Sequence, residues 1–105
     1  MSKPPPFGLP PQALARICTE LALTAHLERA LIFGSRAKGN YRPGSDIDIA
    51  LVGPALTDAE QLALEERLEE LLLPYTIDLC RVEAIDNPVF QEHIQRVGIQ
   101  VYSAA

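Results

Sequence analysis

Residues 34–48 read Gly34-Ser35-Arg36-Ala37-Lys38-Gly39-Asn40-Tyr41-Arg42-Pro43-Gly44-Ser45-Asp46-Ile47-Asp48. The five residues before them, Arg29 to Phe33 (Arg-Ala-Leu-Ile-Phe), form an apolar run of strand length that stops at Gly34. Ser35 to Lys38 suits a short helix closed by Gly39-Asn40, and Pro43-Gly44 is a turn. Asp46 to Val52 opens in strict polar/apolar alternation and reads as a second strand. The segment is therefore a strand-to-strand passage that begins in a glycine and ends in two carboxylates.

Working outward, Leu14, Ile17, Cys18, Leu21 and Ala25 recur at helical spacing and predict a helix over Gln12–His26. Thr57-Asp-Ala-Glu60 has capping-box spacing, with a helix to follow as far as about Leu73 before Pro74. Its apolar stripe is Leu62, Leu64, Leu68, Leu71 and Leu72. Thr76–Val82 reads as a third strand. Pro88 suits the first turn of a last helix to about Val97, with Gly98 as its cap and Ile99–Tyr102 as a final strand. The fold class expected is α/β (α+β), a small mixed sheet flanked by helices. The helix after Thr57 is long enough to cross over between neighbouring strands. Residues 1–11 hold five of the nine prolines and predict a flexible arm ahead of a single domain over 12–105.

The totals exclude several function classes. At 105 residues one domain is expected, with no room for a separate substrate-recognition domain. A net charge of −5 argues against a general nucleic-acid binder, which needs a basic surface. Yet from Arg29 to Ser45 there are four bases (Arg29, Arg36, Lys38, Arg42) and no acid. Cys18 and Cys80 have neither CxxC nor zinc spacing and suit free, buried thiols. The N-terminus lacks the apolar region of a secretory signal, and no apolar run reaches the roughly 20 residues of a membrane span. The expected compartment is the cytoplasm, with no membrane association.

Three features carry chemistry. Gly34-Ser35 at a strand end presents backbone amides at a helix start, where an anion is favoured, although such a pair is often only a turn. Asp46 and Asp48, two apart on a strand, point to the same face. Their charges repel by roughly a few kcal/mol at an effective dielectric near 20, which a cation between them relieves. Hard carboxylate oxygens suit Mg²⁺. A solvated strand start accounts for the pair equally simply. Asp78, inside the apolar run Ile77-Asp78-Leu79-Cys80, is either hydrogen-bonded structurally or joins the same cluster if its strand lies beside the Asp46 strand.

Together these residues resemble the DNA-polymerase-β-like nucleotidyltransferase superfamily, whose signature is Gly-Ser, about ten residues, then Asp-x-Asp. Ten residues separate Ser35 from Asp46 here. The short length, the Gly34-Ser-Arg-Ala-Lys-Gly stretch and the tail from Phe90 to Tyr102 are similar to its minimal nucleotidyltransferase (MNT) branch. The resemblance implies that Gly34 and Ser35 hold a triphosphate, with Arg36, Lys38 and Ser45 as further phosphate contacts. It implies that Asp46, Asp48 and Asp78 bind one or two Mg²⁺ ions, with Asp78 also helping to deprotonate an acceptor hydroxyl. The implied reaction moves a nucleotidyl group, AMP from ATP or another nucleoside triphosphate, onto that hydroxyl. The branch also implies a partner: a helical HEPN-family RNase toxin, neutralised within a hetero-oligomer by its MNT antitoxin. The rival class is a non-catalytic antitoxin that acts by docking alone. A small-molecule nucleotidyltransferase would be expected to carry a further helical domain. Phe7 and Tyr75 are candidate interface residues, Tyr41 a candidate nucleotide contact, and His26 and His93 surface or capping residues. The acidic run Glu65-Glu66 with Glu69-Glu70 reads as a solvated helix face.

Overall fold

A computed structural model describes residues 6–104. Four strands, β1 (Arg29–Phe33), β2 (Ile47–Val52), β3 (Ile77–Arg81) and β4 (Ile99–Ser103), form one mixed sheet in the order β3-β2-β1-β4. β1 runs antiparallel to both β2 and β4, while β2 and β3 are parallel. That parallel pair requires a crossover, which helix α3 (Asp58–Glu70) supplies, as its length predicted. The other helices are α1 (Pro11–Ala22), the single turn α2 (Ser35–Lys38) and α4 (Pro88–Val97).

The two faces of the sheet carry different loads. Ala30, Ile32, Ile47, Ile49 and Leu51 pack against Ile17 and Leu21 of α1 and Leu64 and Leu68 of α3. Each Leu or Ile so buried contributes about 1.5–3 kcal/mol. The opposite face is covered over a smaller area, where Leu31, Ala50 and Val82 meet Ile94 of α4. Helix α4 starts on an Asn87 cap that accepts from the amides of Val89 (2.9 Å) and Phe90 (3.3 Å). The part of this thinly covered face at the N-terminal ends of β2 and β3 is left open.

Several boundaries differ from the sequence expectation, each for a local reason. Helix α1 ends at Ala22 instead of His26. The amides of Leu23 and Thr24 tighten onto Glu20 O and Leu21 O, and His26 takes a left-handed φ of 66°. Leu27 is buried instead of Ala25. Helix α3 stops at Glu70, and Leu72, at φ 54°, is 87% exposed. Leu62 is also exposed, so only Leu64 and Leu68 of the expected stripe are fully buried. Gly98 caps α4 with an extended backbone (φ −67°, ψ 144°). Glycine is needed there because a side chain would meet Ile94 O at 2.6 Å and Leu31 at 3.1 Å.

The arm expected over residues 1–11 is partly packed. Pro6–Gly8 makes a 3-10 turn, Leu9 lies in the core, and Gly8 lies against the Tyr41 ring. Residues 1–5 lie outside the described residues. Cys18 and Cys80 are free and half-buried, and burial pushes both thiols up. No helix among the described residues is long and apolar enough to cross a membrane.

Candidate active site

The parallel register of β2 and β3 sets Asp48 directly beside Asp78. Strand spacing puts such neighbours about 5 Å apart at Cα. Because side chains alternate, Ile47, Ile49, Ile77 and Leu79 turn to the α1/α3 core while the two acids turn to the open face. Asp46 lies one residue before β2, which starts at Ile47 instead of the expected Asp46, and its charge still reaches Asp48. The Asp48 carboxyl is raised above its ordinary value, first by burial, then by the charges of Asp78 and Asp46. Asp48 therefore feels both of the other carboxylates. Asp46 and Asp78 are solvent-exposed and Asp48 is half-buried. Although Asp78 sits in an apolar run of sequence, its strand is an edge strand and its side chain reaches solvent. None of the three forms an ion pair among the described residues.

β1 ends where these acids begin. Phe33 is the register partner of Asp48, so Gly34 follows at the lip of the site. Gly34 has φ 73° and ψ −153°, a conformation that strains any side chain. A Cβ there would also run into Asp48 Oδ2. The glycine lets the backbone lie directly against the carboxylate and turn into α2. The amides of Lys38 and Gly39 close that turn onto Gly34 O (3.1 Å) and Ser35 O (2.9 Å). The first-turn amides ahead of them have no partner within the helix.

Not every expected phosphate contact reaches this point. Arg36 is 2% exposed and turned inward. Its guanidinium donates to Phe7 O (2.9 Å) and twice to Ser45 O (2.8 and 3.2 Å). It also lies over the rings of Tyr41 (5.3 Å) and Tyr75 (5.0 Å). Arg36 therefore ties the N-terminal segment to the loop that carries Asp46, a different task from the phosphate contact expected of it. Phe7, Tyr41 and Tyr75, expected as interface or nucleotide contacts, are partners in this clamp or pack on the core. The Ser45 hydroxyl accepts from the Arg42 amide at 2.8 Å and holds the Pro43-Gly44 turn. Lys38 is exposed and forms no ion pair among the described residues. Sequence reasoning missed the aromatic wall beside the acids, where Phe33 and Phe90 meet edge-to-face at 6.3 Å. The shared parity of Phe33 and Asp48 in adjoining strands was the available signal.

Among the described residues no group of three or more His, Cys, Asp or Glu is already drawn together as a metal cage. The chemistry of the donors nonetheless suits a hard divalent cation: three carboxylates at the N-terminal ends of β2 and β3, with Asp48 driven toward its protonated form by burial and then by the charges of Asp78 and Asp46. A cation among them would reverse that shift.

The family model described as polymerase beta, nucleotidyltransferase matches residues 16–105. A comparison with curated proteins finds no match. Among solved structures, a toxin–antitoxin complex with AMP-PNP is 24% identical, with 86% of this chain and 73% of that chain covered at a TM-score of 0.70. A tri-AMPylated Shewanella oneidensis HEPN toxin in complex with MNT antitoxin is 21% identical, with 88% and 71% covered and a TM-score of 0.65. A protein described as a minimal nucleotidyltransferase is 28% identical, with 81% and 88% covered and a TM-score of 0.64.

Proposed function

We propose, from the premise that this chain belongs to the polymerase beta nucleotidyltransferase family, that it transfers AMP from ATP to a hydroxyl of a partner protein and so acts as the antitoxin of a HEPN RNase toxin. The observation that carries the catalytic reading is the Asp48–Asp78 register, with Gly34 packed against Asp48. The partner is suggested by the toxin–antitoxin complexes that share the fold.

In this reading the Gly34 turn and the amides that follow it cradle the β- and γ-phosphates. Asp46, Asp48 and Asp78 would hold Mg²⁺, which when bound would supply charge neutralisation and Lewis-acid polarisation of the triphosphate. Lys38, exposed at the end of α2, is free to approach the phosphate tail. Asp78 accepts the proton of the acceptor hydroxyl as its oxygen bonds to the α-phosphorus. The bond from that phosphorus to the α–β bridging oxygen breaks, and pyrophosphate leaves with its electron pair. The protein contributes alignment and charge, the main demands of phosphoryl transfer.

The test is mass spectrometry of the partner, taken from an adjoining reading frame for an all-helical protein, after incubation with ATP and Mg²⁺. An AMP mass increment is expected with the wild type and none with Asp46→Ala or Asp48→Ala. Normal modification by both variants would remove the carboxylates from the reaction. Full neutralisation of the partner by the double variant would leave docking as the function.

A further inference from the structure

A groove beside β3 has no part in the proposed transfer of the nucleotidyl group. A groove of about 530 Å³ runs between α3 and the free edge of β3 and includes Asp78 in its lining. Its floor is apolar, from Leu62, Leu68 and Leu73. Its rim is acidic, from Glu65, Glu66 and Glu69, and no Lys, Arg or His lines it. The three glutamates are exposed and form no ion pair among the described residues.

The backbone of β3 adds direction. Ile47 donates to Thr76 O at 2.8 Å, so Thr76, Asp78 and Cys80 turn their amides and carbonyls toward β2. Ile77 and Leu79 consequently turn theirs outward, at the edge of the sheet. Such an edge accepts an added strand. A segment added there meets apolar floor, carboxylate rim and unpaired backbone together, and because its side chains alternate, those beside Asp78 share the face to which that carboxylate turns.

We infer that this groove is the acceptor channel: it takes an extended, lysine- or arginine-rich polypeptide segment along β3 and delivers its hydroxyl-bearing residue to Asp78. The inference rests on the proposed transfer reaction and adds the class of acceptor to it. Charge complementarity selects the occupant. The three glutamates along the channel repel a nucleic-acid backbone and attract a basic peptide. Continuity with Asp78 ties the channel to the acceptor side of the reaction, because Asp78 is the carboxylate assigned to the incoming hydroxyl.

The experiment uses three dye-labelled peptides of about ten residues, each with a central tyrosine, flanked by Lys/Arg, by Gln/Ser or by Glu. Anisotropy titrations are run against the whole chain, with a single-stranded RNA of similar length as a fourth probe. Binding is expected for the basic peptide alone and is expected to weaken about tenfold in Glu65→Gln/Glu66→Gln/Glu69→Gln. Leu62→Asp should weaken it independently of that charge. Amide hydrogen exchange at Ile77 and Leu79 should slow when the basic peptide is bound. Equal binding of all three peptides, tighter binding of RNA, or unchanged affinity in both variants would overturn the inference. Mg²⁺-dependent binding of a non-hydrolysable ATP analogue, measured in the same variants, should be unaltered. Its absence already in the wild type would instead count against the transfer reaction, so the two failures are separable.

Discussion

The two ends of β2 are built on opposite terms. At its C-terminal end polar groups are paired in a dense network. Gly53 donates to Glu83 (3.2 Å), and Thr57 and Glu60 exchange both bonds of a capping box (2.9 and 3.1 Å). His26 reaches Glu60 at 2.8 Å, and Arg81 holds Leu56 O while pairing with Asp58. At its N-terminal end Asp46, Asp48 and Asp78 form no ion pair among the described residues, and the adjoining Gly34 has a backbone only glycine tolerates easily. In the proposed function the satisfied end is framework and the unsatisfied end is where the triphosphate is held.

The largest effect should come from the unsatisfied end. Asp48→Asn is expected to cut nucleotidyl transfer by about a thousandfold or more, roughly 4 kcal/mol of barrier. The same change should raise stability in the absence of Mg²⁺ and nucleotide by about 0.5–1 kcal/mol. The sign follows from the raised carboxyl. Folding favours protonated Asp48, so the stability it contributes is complete below its ordinary pKa of 3.8 and is lost as pH rises through the higher folded value. The advantage of the variant should therefore open across that acidic window and persist at neutral pH, as urea titrations at several pH values would record.

Arg36→Ala is next, at about 3 kcal/mol, because it strands the carbonyls of Phe7 and Ser45 and removes a cation between two tyrosines. Arg36→Lys should recover only part of that loss, since an ammonium cannot fork between two carbonyls. Gly34→Ala should cost about 1–2 kcal/mol from its positive φ and the collision with Asp48, with transfer reduced as well. Thr57→Ala, at the satisfied end, should cost about 1 kcal/mol in thermal unfolding and leave transfer untouched.

That contrast also explains what the sequence disclosed. The capping box and the Asp-x-Asp alternation are local patterns, so Thr57, Glu60, Asp46 and Asp48 were legible from spacing alone. The place of Asp78 was legible only conditionally, because strand adjacency is a tertiary fact; the parallel crossover through α3 settled it. Arg36 was misread because an arginine two residues past a Gly-Ser turn looks the same whether it points out or in. The carbonyls that draw it inward belong to residues 29 and 9 positions away. Leu62 and Leu72 carried the helical period of a core stripe, yet α3 ends at Glu70, ahead of Leu72, and Leu62 lines the open groove beside β3.

The most direct test is calorimetric titration of the protein with a non-hydrolysable ATP analogue, with Mg²⁺ and again with EDTA. The account predicts binding that requires the divalent ion and disappears in Asp46→Asn/Asp48→Asn, although that variant folds at least as stably as the wild type. Binding of equal strength in EDTA, or in the doubly substituted protein, would contradict it.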